Sequence, residues 1–414
     1  VSQEAETPIA ASPGWTNWSG AVFARPRAIV APTTEAALVR AVREAGRAGL
    51  ALRVAGAGHS FVPLCATDGV LLSLHQYQGL IATESATGHA TIRAGSTIAS
   101  LGAPLLAAGL ALENQGDIDT QALAGAVATG THGTGPTLGN LSTQVVGLRL
   151  ILADGTVLDC SAEEEPEIFA AARLALALCG VIAQLTVRAI PAYRLHERTW
   201  IAGVAETFAQ LDGLIAANRH CEFFWIPQED RCAIKTLHPT DAPAGIVAEV
   251  PAAQGRLARY LHPERIDWSY RIFPSVRTER FNEMEFAVPA AHGPDCFHEL
   301  RALMRRRYPD VVWPIEYRTL RADDIPLSPA YGRDTVTISI HQGAQLPHEA
   351  FFADAEAIFR NHHGRPHWGK LHRHTARELA DAYPRWGQFL ALRERLDPGG
   401  LFLNDYLRGL LGLA

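Results

Sequence analysis

The chain of 414 residues holds six cysteines, at positions 65, 160, 179, 221, 232 and 296, and no C-x-x-C pair. Such scattered thiols give neither a zinc site nor a dense disulfide framework. Reduced, buried thiols are expected, with a single disulfide left open. No apolar run approaches the roughly 20 residues that a membrane span requires. Positive charge is also short, with 37 Lys and Arg against 43 Asp and Glu and a net charge of −6. Neither nucleic acid nor an anionic membrane is therefore expected as a partner. Residues 1–14 are small, polar and proline-containing, without the basic and apolar regions of a signal peptide. They read as a flexible tail. A cytoplasmic protein is expected, with secretion left open because the chain opens at Val1 rather than at methionine. What is present is ordinary: 48% hydrophobic and 19% charged residues, a globular composition long enough for two or three domains.

One stretch organises the rest. Leu50–Ala55 is an apolar run that reads as a buried strand, and Gly56, Ala57, Gly58, His59 and Ser60 follow it. Two glycines allow positive φ and bring bare N–H groups close to a ligand, as a pyrophosphate requires. The third glycine of the G-x-G-x-x-G fingerprint is missing, since Phe61 stands there, and Val62-Pro63-Leu64 does not open a helix. A dinucleotide fits this loop, but not by the Rossmann route.

The full run R-V-A-G-A-G-H-S-F-V-P-L-C-A-T-D-G from Arg53 to Gly69 resembles the flavin loop of the vanillyl-alcohol-oxidase class, in its aldonolactone and alditol oxidase branch. A second run, Ala124-Gly125-Ala126-Val127-Ala128-Thr129-Gly130-Thr131-His132-Gly133, is similar to the branch's isoalloxazine- and diphosphate-lining segment. On residues alone a helix–helix contact through small side chains is the lesser alternative. Trp15-Thr16-Asn17-Trp18-Ser19-Gly20 resembles the segment that opens many members. The resemblance implies FAD as cofactor, joined through its 8α-methyl to His59. It assigns Arg53, Ser96, Gly116, Asp117, Gly180, Val181, Trp368 and Asn404 to FAD beside the two runs above. At 173–181 the chain reads R-L-A-L-A-L-C-G-V, where the branch carries S-L-G-x-L-G-V.

Along the chain, Ala28–Ala31 reads as a strand. A helix capped by Thr34 follows, with Ala37, Leu38, Ala41, Val42 and Ala45 on one face. The pattern repeats with a strand at 90–94, a helix at 97–108 and a strand at 110–114. Residues 145–152 and 156–159 form a hairpin on a two-residue Asp154-Gly155 turn. From about residue 196 the glycine loops vanish, and 223–227, 284–288 and 335–341 read as strands, the last two with period two. The fold class is α+β: a two-lobed FAD-binding domain over 15–195, a substrate or cap domain with a helix-covered antiparallel sheet over 196–375, and a return to the FAD domain over 376–414. A monomer or small homo-oligomer is expected.

Oxidising an alcohol removes a hydride from carbon and a proton from oxygen, so fixed positive charge beside that oxygen lowers the barrier. Glu316 and Arg318 lie two apart on a segment expected to be a strand after Pro314, and so point the same way. They share a pocket, or form a surface ion pair worth little. His367-Trp368-Gly369-Lys370 matches the branch's H-W-G-K, and Ser328–Asp334 is also shared with it. Arg318 and Lys370 are the candidates for the catalytic charge, with Glu316 orienting Arg318 and binding substrate hydroxyls. Asp117, Glu283, Ser339 and His341 are the candidates for substrate binding. Histidines 362, 363, 367, 372 and 374 crowd together, but not as H-E-x-x-H and with no carboxylate among them before Glu378, so no metal site is expected.

Alditol oxidases of the branch carry serine at the position of Asp117, and histidine and threonine at those of Ser339 and His341. These departures favour an aldono-1,4-lactone as the small polar substrate, with an alditol, a nucleoside or another polyol as alternatives. Gly116 occupies the position thought in the class to gate oxygen, and a glycine leaves room. An oxidase using molecular oxygen is expected ahead of a dehydrogenase, or of a flavin carrier without catalysis.

Overall fold

The computed structural model describes residues 14–413 apart from 251, 252, 254, 276 and 277. Most of the expected N-terminal tail, residues 1–13, lies outside the described residues. Two large apolar cores divide the molecule. The first gathers Leu38–Ala189 with Ile325, Leu327, Trp368 and Leu379–Leu411, and the second gathers Ala202–Phe359. The C-terminal helices Ala376–Ala382, Trp386–Leu396 and Asp405–Leu411 thus pack on the first core.

The first core lies among small sheets. Ala28–Val30, Val70–Ser73 and Leu52–Ala55 make a parallel three-stranded sheet in that order. The helix Glu35–Arg47 buries Leu38, Ala41, Val42 and Ala45, and the Thr34 hydroxyl accepts from Ala37 N–H at 3.2 Å. This is the stripe and the cap that the sequence spells. An antiparallel sheet of five strands follows, in the order Val157–Ser161, Val145–Ile151, Val181–Arg188, His89–Arg93 and Leu80–Glu84.

Two local expectations need correction. The strand–helix–strand pattern does not recur as a copy of the first unit. His89–Arg93 joins the antiparallel sheet, while Leu110–Ala111, shorter than expected, pairs with Ile190–Pro191. The 145–161 hairpin turns through Ala153, Asp154 and Gly155 rather than two residues. Leu152 N–H donates to Thr156 O, Gly155 N–H returns to Leu152 O, and Gly155 adopts φ +80°. That is a turn closed by a left-handed glycine, the common three-residue hairpin loop.

The second core backs a nine-stranded antiparallel sheet. Its order is Gly245–Ala248, Glu264–Trp268, Arg194–Gly203, Arg231–Thr240, His220–Ile226, Ile315–Leu320, Thr335–Gly343, Phe281–Pro289 and Arg365–Pro366. The central strands are buried on both faces, yet the faces differ in chemistry. Phe223, Trp225, Ile234, Met284, Phe286, Tyr317, Ile338 and Ile340 enter the core beneath the helices Val204–Ala217, Gly293–Arg307 and Glu349–Asn361. The alternate residues Glu222, Lys235, Glu283, Glu285, Glu316, Arg318, Ser339 and His341 occupy the other face. Period two therefore separates core from pocket here, rather than core from solvent.

Candidate active site

Two cavities adjoin, sharing Gln121 in their walls. The first is lined largely by backbone and small residues: Gly56, Ala57, Gly58, His59, Ser60, Ala122, Ala124, Gly125, Ala128 and Thr129, closed by Leu176, Ala177 and Ile182. A Cβ placed on Gly125 would meet nothing within 4 Å, so this glycine faces open space. A wall with so few side chains suits a flat, extended group such as a flavin dinucleotide. A wider cleft lies elsewhere, among Leu50, Ala66, Leu152, Pro398 and Tyr406, and of the candidate site residues only Asn404 lines it.

The N-terminal motif holds this loop in place. Asn17 Nδ2 donates to Ser60 O at 2.9 Å, and its Oδ1 accepts from Val22 N–H. Trp18 N–H donates to Gly58 O at 2.8 Å, and its ring stacks on His59 at 5.3 Å between centroids. His59 Nε2 lies 3.0 Å from Thr120 Oγ1. Burial, then the nearby Lys370 ammonium, push this imidazole down to about 4, so it is neutral at physiological pH with a lone pair available.

The second cavity is lined by Gly116, Asp117, Thr131, His132, Phe281, Glu283, Glu285, Glu316, Arg318, His341, His367 and Lys370. Sheet register assembles it: Glu283 stands opposite His341, Glu222 opposite Lys235, and Ser339 pairs with both Glu285 and Glu316. H-W-G-K runs beside the same strand, with His367 N–H donating to Glu285 O and Leu371 N–H to Glu283 O. Phe61 N–H donates to Gly369 O at 2.7 Å. The loop carrying His59 is thereby tied directly to the wall carrying Lys370.

Charge is arranged in two linked clusters. Arg318 Nε donates to Glu222 at 2.7 Å, and its Nη2 contacts Asp117 at 3.2 Å as well as Glu316. Lys235 Nζ lies 3.1 Å from Glu222 and 3.7 Å from Asp117. Burial opposes the Arg318 charge, but Glu222, Glu316 and Asp117 outweigh it and hold the guanidinium well above its usual range. In the other cluster Lys370 contacts Glu283, and His341 Nε2 approaches the same carboxylate at 3.6 Å. Burial opposes the Glu283 charge, yet Lys370 and His341 bring it down to about 2. His132 Nε2 meets Glu285 at 2.5 Å, and its Nδ1 donates to Gly133 O at 2.8 Å. With both nitrogens donating, His132 is an imidazolium. Burial works against that charge, and Glu285 raises it.

Five carboxylates (Asp117, Glu222, Glu283, Glu285 and Glu316) thus face four cations: Lys235, Arg318, Lys370 and His132. Glu316 bears the surplus. Burial raises it against the pull of Arg318, Glu222 and Asp117 add to the rise, and it stands at about 7.

The structure redistributes several expected contacts. Arg53 borders the first cavity but spends its guanidinium on the carbonyls of Leu64, Leu176 and Phe402. Ser96 accepts from Gly79 N–H at 2.8 Å, braces a turn, and is absent from the cavity lining. Val181 begins a sheet strand and Gly180 precedes it, both outside that lining, where Leu176, Ala177 and Ile182 stand instead. Trp368 belongs to the apolar core, with Nε1 donating to Leu327 O at 2.6 Å and its ring against Tyr383 and Trp386. Asn404 donates to the carbonyls of Pro63 and Ala66 and caps the last helix through Leu407 N–H. Gly130 and Gly133 are glycines for packing: a Cβ would strike Leu174 at 2.8 Å or Asn114 Oδ1 at 2.3 Å. Thr131 and His132 line the charged cavity, not the first one. Ser339 stands behind Glu285, at 3.2 Å.

Sequence reasoning missed Glu222, Lys235, Glu285 and His367. Glu285 lies two residues from Glu283 on one strand, and so necessarily on its face. A lone Glu222 inside C-E-F-F-W-I, or Lys235 inside A-I-K-T, was a signal of a buried, partnered charge. All six cysteines are unpaired, five of them buried, with Cys65 half-buried on the first cavity wall. No helix among the described residues is long and apolar enough to cross a membrane.

Residues 26–161 match the family model of an FAD binding domain, and 185–258 with 250–410 match that of D-arabinono-1,4-lactone oxidase. The chain is 39% identical to L-gulono-1,4-lactone dehydrogenase of Mycobacterium tuberculosis, over 97% of this chain and 100% of the relative. It is 29% identical to L-gulonolactone oxidase of Bos taurus, over 94% and 96%. Cholesterol oxidase from B. sterolicum shares its fold, with a TM-score of 0.83 at 16% identity over 96% of each chain.

Proposed function

The chain belongs to the D-arabinono-1,4-lactone oxidase family, and from that premise we propose that it oxidises the 2-hydroxyl of an aldono-1,4-lactone to the ketone. It is an FAD-dependent oxidoreductase acting on a CH–OH group. The observation that carries the reading is the adjacency of the two cavities: one of small residues behind His59, the other lined by Arg318, Lys370 and paired carboxylates. The small-residue wall of the first cavity, with His59, would hold FAD, which would supply the hydride acceptor.

The residues of this chain do the rest. Lys370 and Arg318 present fixed positive charge where the substrate oxygen becomes anionic, already oriented by Glu283 and by Glu222 and Asp117. Glu316, poised near neutrality, accepts the hydroxyl proton. Asp117, Glu283 and His341 receive the remaining hydroxyls of the ring. The neutral His59 imidazole would hold FAD through the 8α position of its ring. Oxygen is the acceptor, giving hydrogen peroxide. The second reading, a dehydrogenase with another acceptor, is favoured by the name of the 39% identical relative.

Acid precipitation of the purified protein tests the linkage: yellow colour stays in the pellet, and moves to the supernatant in His59→Ala. Turnover of L-gulono-1,4-lactone with oxygen, compared with a dye acceptor, separates oxidase from dehydrogenase. No flavin in either fraction after reconstitution with FAD would sink the whole reading.

A further inference from the structure

Within H-W-G-K, His367 shares the charged cavity with Lys370. Its ring is buried and lines the same wall as Glu285 and Lys370. Gly369 N–H reaches His367 Nδ1 at 3.0 Å. A backbone N–H can only donate, so Nδ1 is the bare acceptor and the proton sits on Nε2. Burial, with Lys370 nearby, pushes the imidazole down to about 4 despite Glu285, so His367 is neutral in working conditions. Its ring centroid lies 6.0 Å from that of His132, whose two nitrogens are both already engaged.

The other donors in the cavity are of a different kind. Lys370 is engaged by Glu283, and Arg318 by Glu222, Asp117 and Glu316. Charged donors held by carboxylates suit an oxygen that gains negative charge. A lactone also brings a neutral ester carbonyl, which only accepts and keeps no charge through the reaction. A neutral N–H of fixed tautomer matches it.

We infer that His367 is a specificity residue that donates its Nε2–H to the carbonyl oxygen of the lactone ring. This rests on the aldonolactone reading above and names the substrate group that His367 recognises. The contact is made equally in the bound ground state and in the transition state, so its loss raises KM and leaves kcat.

Two variants separate this role from a merely structural one. His367→Asn keeps an acceptor for Gly369 N–H but withdraws the donor from the cavity; His367→Gln places an amide N–H near the Nε2 position. The holoenzyme is assayed with L-gulono-1,4-lactone, and inhibited with the ring ether that carries CH2 in place of the carbonyl. His367→Asn is expected to raise the lactone KM roughly tenfold, with kcat and the inhibition constant of the ether within about twofold. His367→Gln recovers most of the KM. Equal weakening of lactone and ether in His367→Asn overturns the inference, as does rescue by Asn and not by Gln. If the wild type does not turn the lactone over, the functional reading falls separately. Titrating both ligands against the flavin absorbance then still decides the inference: equal affinities, or no lactone binding, overturn it.

Discussion

Replacing Arg53 with methionine tests whether this residue holds the cofactor or holds the protein. Its guanidinium is fully buried and donates to Leu64 O at 2.7 Å, to Leu176 O at 2.9 Å and to Phe402 O. Those carbonyls belong to the loop after His59, the segment closing the first cavity, and the C-terminal return. Burial alone pulls the group down to about 10, so it stays charged at neutral pH. Methionine fills similar space but leaves the buried carbonyls of Leu176 and Phe402 unpaired and Leu64 O with only a 3.5 Å contact from Asn404 Nδ2, each loss costing about 1–3 kcal/mol. Local relaxation favours the low end, a total of about 3 kcal/mol. At about 2–4 °C per kcal/mol for domains of comparable size, the Tm of the apoprotein should fall by roughly 6–12 °C. Arg53→Lys, with one ammonium for three carbonyls, should fall between. The assay is thermal unfolding of flavin-free protein followed by circular dichroism. An apoprotein Tm unchanged within about 2 °C, with FAD retention lost, would refute the keystone role and restore Arg53 as a direct cofactor contact.

Three further outcomes are expected. Glu316, raised to about 7, is protonated below that pH and cannot accept a proton there, so kcat/KM should rise with pH through a midpoint near 7; Glu316→Gln should flatten that limb, and an unchanged profile would remove Glu316 as the base. Lys370→Met should lower kcat by about 10²–10³ through loss of fixed charge at the substrate oxygen, measured by initial rates at saturating lactone; a change confined to KM would assign Lys370 to ground-state binding. Gly116→Ala puts a Cβ 3.0 Å from His132 O, narrowing the space at that position, and should slow turnover with oxygen more than with a dye acceptor; equal slowing would deny Gly116 a part in oxygen access.

What could be read from the sequence follows from the kind of signal each feature leaves. A loop whose backbone must approach a ligand needs glycine and alanine, so G-A-G-H-S and A-G-A-V-A-T stand out, and both line one cavity. Glu316 and Arg318 were legible because two residues apart on a strand means one face. The apolar stripe of Glu35–Arg47 was plain for a similar reason. Trp368 was expected at FAD from its place in H-W-G-K, but motif membership carries no direction: the tryptophan points into the core while His367 and Lys370 line the charged cavity. Arg53 was expected at FAD, while the partners of its guanidinium include the carbonyls of Leu176 and Phe402, which lie far along the chain. The Glu222–Lys235 and His132–Glu285 pairs depend on sheet register and on contact between distant segments, which no local pattern encodes.

The most direct test is anaerobic mixing of the holoenzyme with L-gulono-1,4-lactone, following the visible absorbance of the oxidised flavin. Bleaching at a rate at least equal to steady-state turnover, slowed about 10²–10³-fold in Lys370→Met, is the predicted result. A flavin that binds yet stays oxidised with every aldonolactone, while an open-chain alditol bleaches it, would contradict the assignment of the lactone as substrate.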